Sequence, residues 1–214
     1  MEGTIEVVAD VPHTFASLIA KEAPSSIALS GGDTARRCYE ILATAGVDWS
    51  GVDVFLGDER WVPVDDPDSN EGMARVTFLD HVAPRALHSM RGSGPDPEQA
   101  AVAYDELVRS SAPIDIVHLG LGPDAHTASL FPGSAALDEA DRLVVATGDD
   151  LHPHPRLTLT FPAISRARFV VFTVSGAEKR DAFARVRRNE PVPAARVRAD
   201  RIVWLVDDAV VAEA

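Results

Sequence analysis

His126 and Asp124 stand two residues apart in the loop Gly120-Leu121-Gly122-Pro123-Asp124-Ala125-His126-Thr127-Ala128-Ser129-Leu130-Phe131-Pro132-Gly133, and they are the residue types that proton transfer needs. An imidazole titrates near ~6.5, close enough to neutrality to take a proton from water and hand it on, and a placed base contributes roughly 10²- to 10⁴-fold in rate. Asp124 could hold the imidazole in one tautomer or orient a water, although residues at this spacing need not touch. The plainer alternative is a histidine that bonds a loop carbonyl. A second loop, Ser30-Gly31-Gly32-Asp33-Thr34, places two glycines where a short apolar run ends and a helical pattern begins. Adjacent glycines let the backbone approach a ligand closely, and the N–H groups opening the next helix form an anion site; a tight turn needing positive φ is the alternative. Asp33 would repel a phosphate there unless its side chain turns outward. In Asp58-Glu59-Arg60, the forked donors of Arg60 suit a phosphate or a developing oxyanion, with a solvated loop as the plainer reading.

Arg156 and Lys179 are ordinary surface cations taken singly, but with Arg60 they form the cationic set that this chain requires. Its formal net charge is −13, so an anionic small substrate needs a local cationic pocket against an unfavourable overall field. The same balance argues against nucleic acid and against an anionic membrane face as partners. His13, His81, His88 and His118 are read as structural, and His152 and His154 flank prolines without the Cys or acidic partner that a metal site needs. A lone cysteine, Cys38, allows no intrachain disulfide and fits a reducing compartment. Met1 is followed by Glu2 and an extended segment without a basic or long apolar run, so a soluble, cytoplasmic chain is expected. The sequence sets no oligomeric state, and a monomer is the favoured expectation.

The elements that must position these residues alternate. Thr4–Val8, Ile27–Leu29, Val52–Leu56, Ile114–Leu119, Phe169–Val174 and Ile202–Val206 read as strands. Phe169–Val174 is continuously apolar, the mark of burial on both faces. Between them lie helical patterns: about Pro12 to Lys21 capped by Asp10, a stripe at Cys38, Ile41, Leu42 and Ala45, another at Met73, Val76 and Leu79, and Pro97 to Ser110 with Ala101, Tyr104, Leu107 and Val108 on one face. Leu143–Ala146 and Leu157–Thr160 read as further strands, Phe161–Ala167 as a short helix, and Gly176 as the start of a helix carrying Lys179, Phe183 and Val186. Strand–helix alternation predicts an α/β fold, one domain over residues 1–214, with a mostly parallel sheet covered on both faces. Chemistry then belongs at the carboxyl ends of the strands, where all three loops fall.

Taken in order, Leu29-Ser30-Gly31-Gly32-Asp33-Thr34, Asp58-Glu59-Arg60-Trp61-Val62-Pro63 with Ser69-Asn70, the loop from Gly120 to Pro132, and Pro155-Arg156-Leu157-Thr158-Leu159-Thr160 span nearly the whole chain. In order and spacing they resemble the 6-phosphogluconolactonase family. The resemblance implies a Rossmann-like fold shared with sugar-phosphate deaminases and ribose-5-phosphate isomerases. It also implies hydrolysis of 6-phospho-D-glucono-1,5-lactone, an activity of the oxidative pentose phosphate pathway, without metal or nucleotide. Carried onto this chain, Ser30, Gly31, Gly32 and Thr34 would hold the phosphate with Arg156 and Lys179, Asp58 would join the substrate site, and Arg60 would face the sugar acid or its phosphate. His126 would activate water, assisted by Asp124. Ala35 stands where the family has proline and Ala125 where it has glycine, and the chain is somewhat short, which implies trimmed loops. Hexosamine-6-phosphate deaminases and isomerases of the same fold carry a glutamate five residues after the histidine; here that residue is Phe131. A silent sugar-phosphate-binding regulator is the alternative from another class.

Overall fold

The computed structural model describes residues 1–111, 113–148 and 152–212. In chain order the strands are β1 (Thr4–Val7), β2 (Ser26–Leu29), β3 (Asp53–Leu56), β4 (Asp58–Arg60), β5 (Ala86–Leu87), β6 (Ile116–Leu119), β7 (Val144–Thr147), β8 (Arg156–Leu159), β9 (Phe169–Val174) and β10 (Ile202–Val206). The helices are α1 (Val11–Glu22), α2 (Asp33–Leu42), α3 (Asn70–Thr77), α4 (Pro97–Ser111), α5 (Phe161–Ser165), α6 (Arg180–Arg187) and α7 (Asp208–Val211). Seven strands form a parallel sheet in the order β1-β10-β9-β6-β2-β3-β5. Its centre is where the apolar runs lie: every residue of β2, β6, β9 and β10 is buried.

Alternation across β6 and β9 sends residues to two covered faces. His118 lies on the face where Phe15 of α1 and Tyr39 of α2 pack against its ring. Phe172, one step off that alternation, stacks on Trp204 at 3.6 Å, and Phe183 of α6 closes over the indole at 5.9 Å. Asp10 caps α1 by accepting the His13 N–H, as its position before Pro12 suggests. From β2 the chain steps outward through β3 to β5, whereas β6, β9, β10 and β1 lie on the other side. The crevice between β2 and β6 is therefore the switch point of the sheet, and the loops that leave these two strands are the glycine loop and the His126 loop.

The structure corrects several expectations. Asp58–Arg60 is a strand, not a solvated loop, and pairs antiparallel with β8 in a second sheet, β4-β8-β7, that alternation alone did not foresee. Three charged residues carry no strand signal of their own; the pairing partner, 96 or more residues on in sequence by register (Arg60 to Arg156), supplies it. Gly57 ties the sheets together, donating its N–H to Leu29 and accepting that of Leu159 through its carbonyl. The Met73–Val76–Leu79 stripe holds only in part: Leu79 is buried and Met73 packs against the core, but α3 stops at Thr77, Val76 is 72% exposed, and Ala74 and Phe78 fill the inward face. Lys179 ends a 3-10 turn, Ala177–Lys179, before α6 begins. Ala86–Leu87, two residues long, was too short to be read as a strand.

One buried carboxylate joins the small sheet to α4. Asp105 accepts the backbone N–H groups of Leu143 and Val144 and pairs with Arg109 at 3.2 Å. Hydrogen bonds to a charged group contribute about 1.5–3 kcal/mol, and their donors would be left buried. Asp105→Ala is expected to destabilise the protein by about 2–4 kcal/mol in urea unfolding; a change below about 0.5 kcal/mol would remove this tie from the account.

Candidate active site

A cavity of about 190 Å³ lies over the switch point. It is lined by Ser30, Gly31, Gly32, Thr34, Asp58, Arg60, His126, Arg156 and Lys179, so the residues singled out in the sequence converge on one opening. Asp124 is not on its wall but lies directly behind His126.

The glycine loop opens α2. Gly32 precedes the helix with φ +91°, a conformation that costs glycine nothing, and leaves the first N–H groups without a side-chain cap. Gly31 is required for another reason: a Cβ there would fall 2.0 Å from Asn70 Oδ1. Asp33 borders the same cavity, its side chain 93% exposed and 3.6 Å from Arg36, whose charge offsets its own.

The next wall is β4. Glu59, buried, gathers the N–H groups of Arg60, Asn70 and Glu71 and the Ser69 hydroxyl at 2.7–3.0 Å. Its carboxylate thus sits on the N-terminus of α3 and fixes Asn70; burial pushes its pKa up, against the pull of those donors. Asn70 donates to the Asp58 carbonyl at 2.9 Å and to Oδ1 at 3.3 Å, while Ser129 donates to Oδ2 at 2.7 Å. Asp58 is thereby locked between the glycine-loop side and the His126 side of the site. The sequence alone assigns Glu59, Asn70 and Ser129 no role, because Glu59 meets Ser69 and Asn70, and Ser129 meets Asp58, only through the fold.

Arg60 and Arg156 face each other in register across β4 and β8. Like charges directly opposite repel, and burial followed by the Arg60 charge holds the Arg156 pKa below its ordinary value. Arg60 donates to the Asp68 carbonyl at 2.5 Å, and Arg156 lies 5.2 Å over the Phe131 ring. Among the described residues, Nε of each guanidinium is buried without a hydrogen-bond partner. Lys179 enters from the turn after β9, whose start Asp207 holds by accepting the Ser175 hydroxyl at 2.6 Å and the Gly176 N–H at 3.0 Å.

The imidazole is held on every side. Asp124 Oδ1 accepts the His126 backbone N–H at 3.1 Å and engages Nδ1 at 2.5 Å. This places the ring proton on Nδ1 and leaves Nε2 with its lone pair. Gly122 packs so closely that a Cβ would meet the ring at 2.1 Å, and Phe131 lies 4.4 Å away on another side. Burial lowers the His126 pKa, with the Asp124 carboxylate opposing, so the ring stays neutral near neutral pH. Ala125 takes φ +68° and is fully buried: the backbone does need the left-handed region here, and alanine accepts it at a cost of about 1–2 kcal/mol.

Residues 3–204 match the family model described as glucosamine-6-phosphate isomerases/6-phosphogluconolactonase. The chain belongs to this family of sugar-phosphate enzymes. Its similarity runs to the 6-phosphogluconolactonases in particular: it is 43% identical to that enzyme of Synechocystis over 88% of this chain and 84% of the relative, and 40% identical to that of Mycobacterium leprae over 91% and 87%. A solved 6-phosphogluconolactonase from Thermotoga maritima superposes with a TM-score of 0.84 at 30% identity, covering 97% of this chain and all of that one. A monomeric glucosamine-6-phosphate deaminase gives the same TM-score at 19% identity, which shows the fold alone.

Two substitutions test the His126 loop. Gly122→Ala is expected to displace the imidazole and lower turnover at least tenfold while the protein stays folded by circular dichroism. Ala125→Gly is expected to stay within about 1 kcal/mol of the parent, whereas Ala125→Val, a branched side chain at positive φ, should destabilise by about 2 kcal/mol or more.

Proposed function

We propose that the chain hydrolyses 6-phospho-D-glucono-1,5-lactone to 6-phospho-D-gluconate, with His126 as general base. The observation that carries this reading is that one cavity brings together the cationic side chains of Arg60, Arg156 and Lys179 and an imidazole whose Nδ1 is committed to Asp124. The first feature suits a dianionic phosphate and the second suits proton transfer through Nε2. The phosphate would rest on the N-terminus of α2 at Gly31, Gly32 and Thr34, with Arg156 and Lys179 beside it, as a remote handle that sets C1 near the base. Arg60 faces the sugar acid or its phosphate, and Asp58 completes the sugar side of the cavity.

In the chemical step, water attacks C1 as its proton passes to Nε2 of His126. The C–O bond forms, the carbonyl becomes an oxyanion, and Asp124 balances the imidazolium. As the oxyanion collapses, the bond from C1 to the ring oxygen breaks and that oxygen takes the proton back from Nε2. The product acid then releases its proton to solvent. A lactone is already a reactive ester, so no activated serine is needed. Stabilisation of the oxyanion by Arg60 or backbone N–H groups would account for about 10²- to 10³-fold per donor.

Phe131 occupies the position where the deaminases carry a glutamate, and its ring desolvates His126 instead of relaying a proton. A binding protein without activity would hold phosphosugars yet leave the spontaneous rate of lactone opening unaltered. Turnover of freshly prepared lactone, coupled to NADP-dependent oxidation of the product, separates these. His126→Ala is expected to lose roughly 10²- to 10⁴-fold, and wild-type turnover in that variant would sink the base assignment. Because burial lowers the His126 pKa, kcat/KM should fall only on the acid side of about 6.5. Asp124→Asn removes a charge that raises this pKa, so its acid limb should move further down; an upward move would contradict the role given to Asp124.

A further inference from the structure

Behind the glycine loop, three buried side chains that the reaction above leaves unused form one hydrogen-bonded line. The Ser30 N–H donates to Tyr39 Oη at 2.7 Å, Tyr39 Oη lies 2.8 Å from His118 Nδ1, and His118 Nε2 lies 2.8 Å from Thr173 Oγ1. Tyr39 and His118 are fully buried and Thr173 is 2% exposed, yet Thr173 lines the cavity. The line thus begins at the peptide from which the glycine loop springs and ends at the cavity wall. Its three members come from α2, β6 and β9, on the face of the sheet that α1 covers, and Phe15 of α1 packs 4.2 Å from the His118 ring. A histidine and a tyrosine so placed could be replaced by apolar residues if burial were all that mattered.

Two proton orders satisfy the line. In one, Tyr39 donates to the Ser30 carbonyl at 3.1 Å, His118 Nδ1–H donates to Tyr39, and Thr173 donates inward to Nε2. In the other, Tyr39 donates to Nδ1, Nε2–H donates to Thr173, and the Thr173 proton is free to point into the cavity. Burial drives the His118 pKa down to about 3 and keeps Tyr39 protonated, so both orders are neutral and differ only in where protons sit. Every donor in the second order then runs toward the cavity, and bonds aligned head to tail strengthen one another.

We infer that Tyr39, His118 and Thr173 are positioning residues of the phosphate subsite: the line holds the Ser30 peptide so that the Gly31–Gly32 loop keeps its shape, and a bound phosphate selects the order in which Thr173 donates outward. This rests on reading the glycine loop as the phosphate site, and it does not require that the lactone be the substrate.

Calorimetry with inorganic phosphate tests it without turnover, so a failed lactonase assay and a failed inference remain distinguishable. Tyr39→Phe is expected to weaken phosphate binding about tenfold, the effect of one well-placed hydrogen bond. In the assay it should raise KM for the phosphorylated lactone by a similar factor while kcat falls less than threefold. Its kcat/KM for unphosphorylated glucono-1,5-lactone should move less than threefold. Thr173→Val should behave the same way and Thr173→Ser should restore phosphate affinity. Equal losses on both lactones, or unaltered phosphate affinity, would overturn the inference and leave a line that serves packing alone. Should Tyr39→Phe fail to fold, ¹⁵N NMR of the wild-type protein decides: His118 is expected as the Nε2–H tautomer in saturating phosphate, with ring resonances that move on titration. Unmoved resonances, or the Nδ1–H tautomer in the phosphate-bound protein, would overturn it equally.

Discussion

Two guanidiniums set opposite each other on adjacent strands are an arrangement that a protein maintains at a cost. Arg60 and Arg156 occupy facing positions of β4 and β8, and burial together with mutual repulsion is already felt in the lowered pKa of Arg156. Much of the surrounding structure acts to hold this pair. Glu59 fixes the start of α3 and the Arg60 backbone, Gly57 bonds the small sheet to the large one, and Phe131 lies under the Arg156 guanidinium. In a chain of net charge −13 the pair concentrates positive charge at one cavity, where an anion is otherwise disfavoured.

The imidazole is the complementary constraint. Burial keeps the His126 ring neutral against the pull of Asp124 and Asp58, and what the base proposed here needs besides is a fixed tautomer and a partner for the proton it accepts. Asp124 supplies both through Nδ1, and the close packing of Gly122 and Phe131 leaves the ring little freedom. Phe131 touches His126 and also underlies Arg156, so one aromatic ring desolvates the base and supports the cation. It thereby couples the two ends of the proposed site.

Much of this was legible in the sequence because it is local. Strand cores such as Phe169–Val174, the Asp10 cap and the glycines before α2 each declare themselves within a few residues. The meeting of the Ser30 and His126 loops follows from one rule, that loops leaving parallel strands share an end of the sheet, whereas Asp58, Arg60 and Arg156 reach the same cavity on the antiparallel strands β4 and β8, which no local signal declared. What was hidden depends on partners distant in sequence. The charged triplet Asp58–Arg60 becomes a strand only when β8 lies beside it, and His118 looks like a core histidine until Tyr39 and Thr173 are brought to its two nitrogens. Ala125 shows a third kind of limit: residue type alone pointed to a backbone problem, and the fold resolves it by holding alanine at φ +68°.

The central claim is that Arg156 helps to hold the phosphate while His126 acts elsewhere on the same substrate. It is tested most directly by the kcat/KM of Arg156→Met on 6-phosphogluconolactone and on unphosphorylated glucono-1,5-lactone, measured side by side. Loss of a charge-assisted contact worth about 1.5–3 kcal/mol corresponds to roughly 10- to 150-fold. The account predicts a fall in that range on the phosphorylated lactone and a change of less than about threefold on the other. An equal fall on both substrates would contradict it.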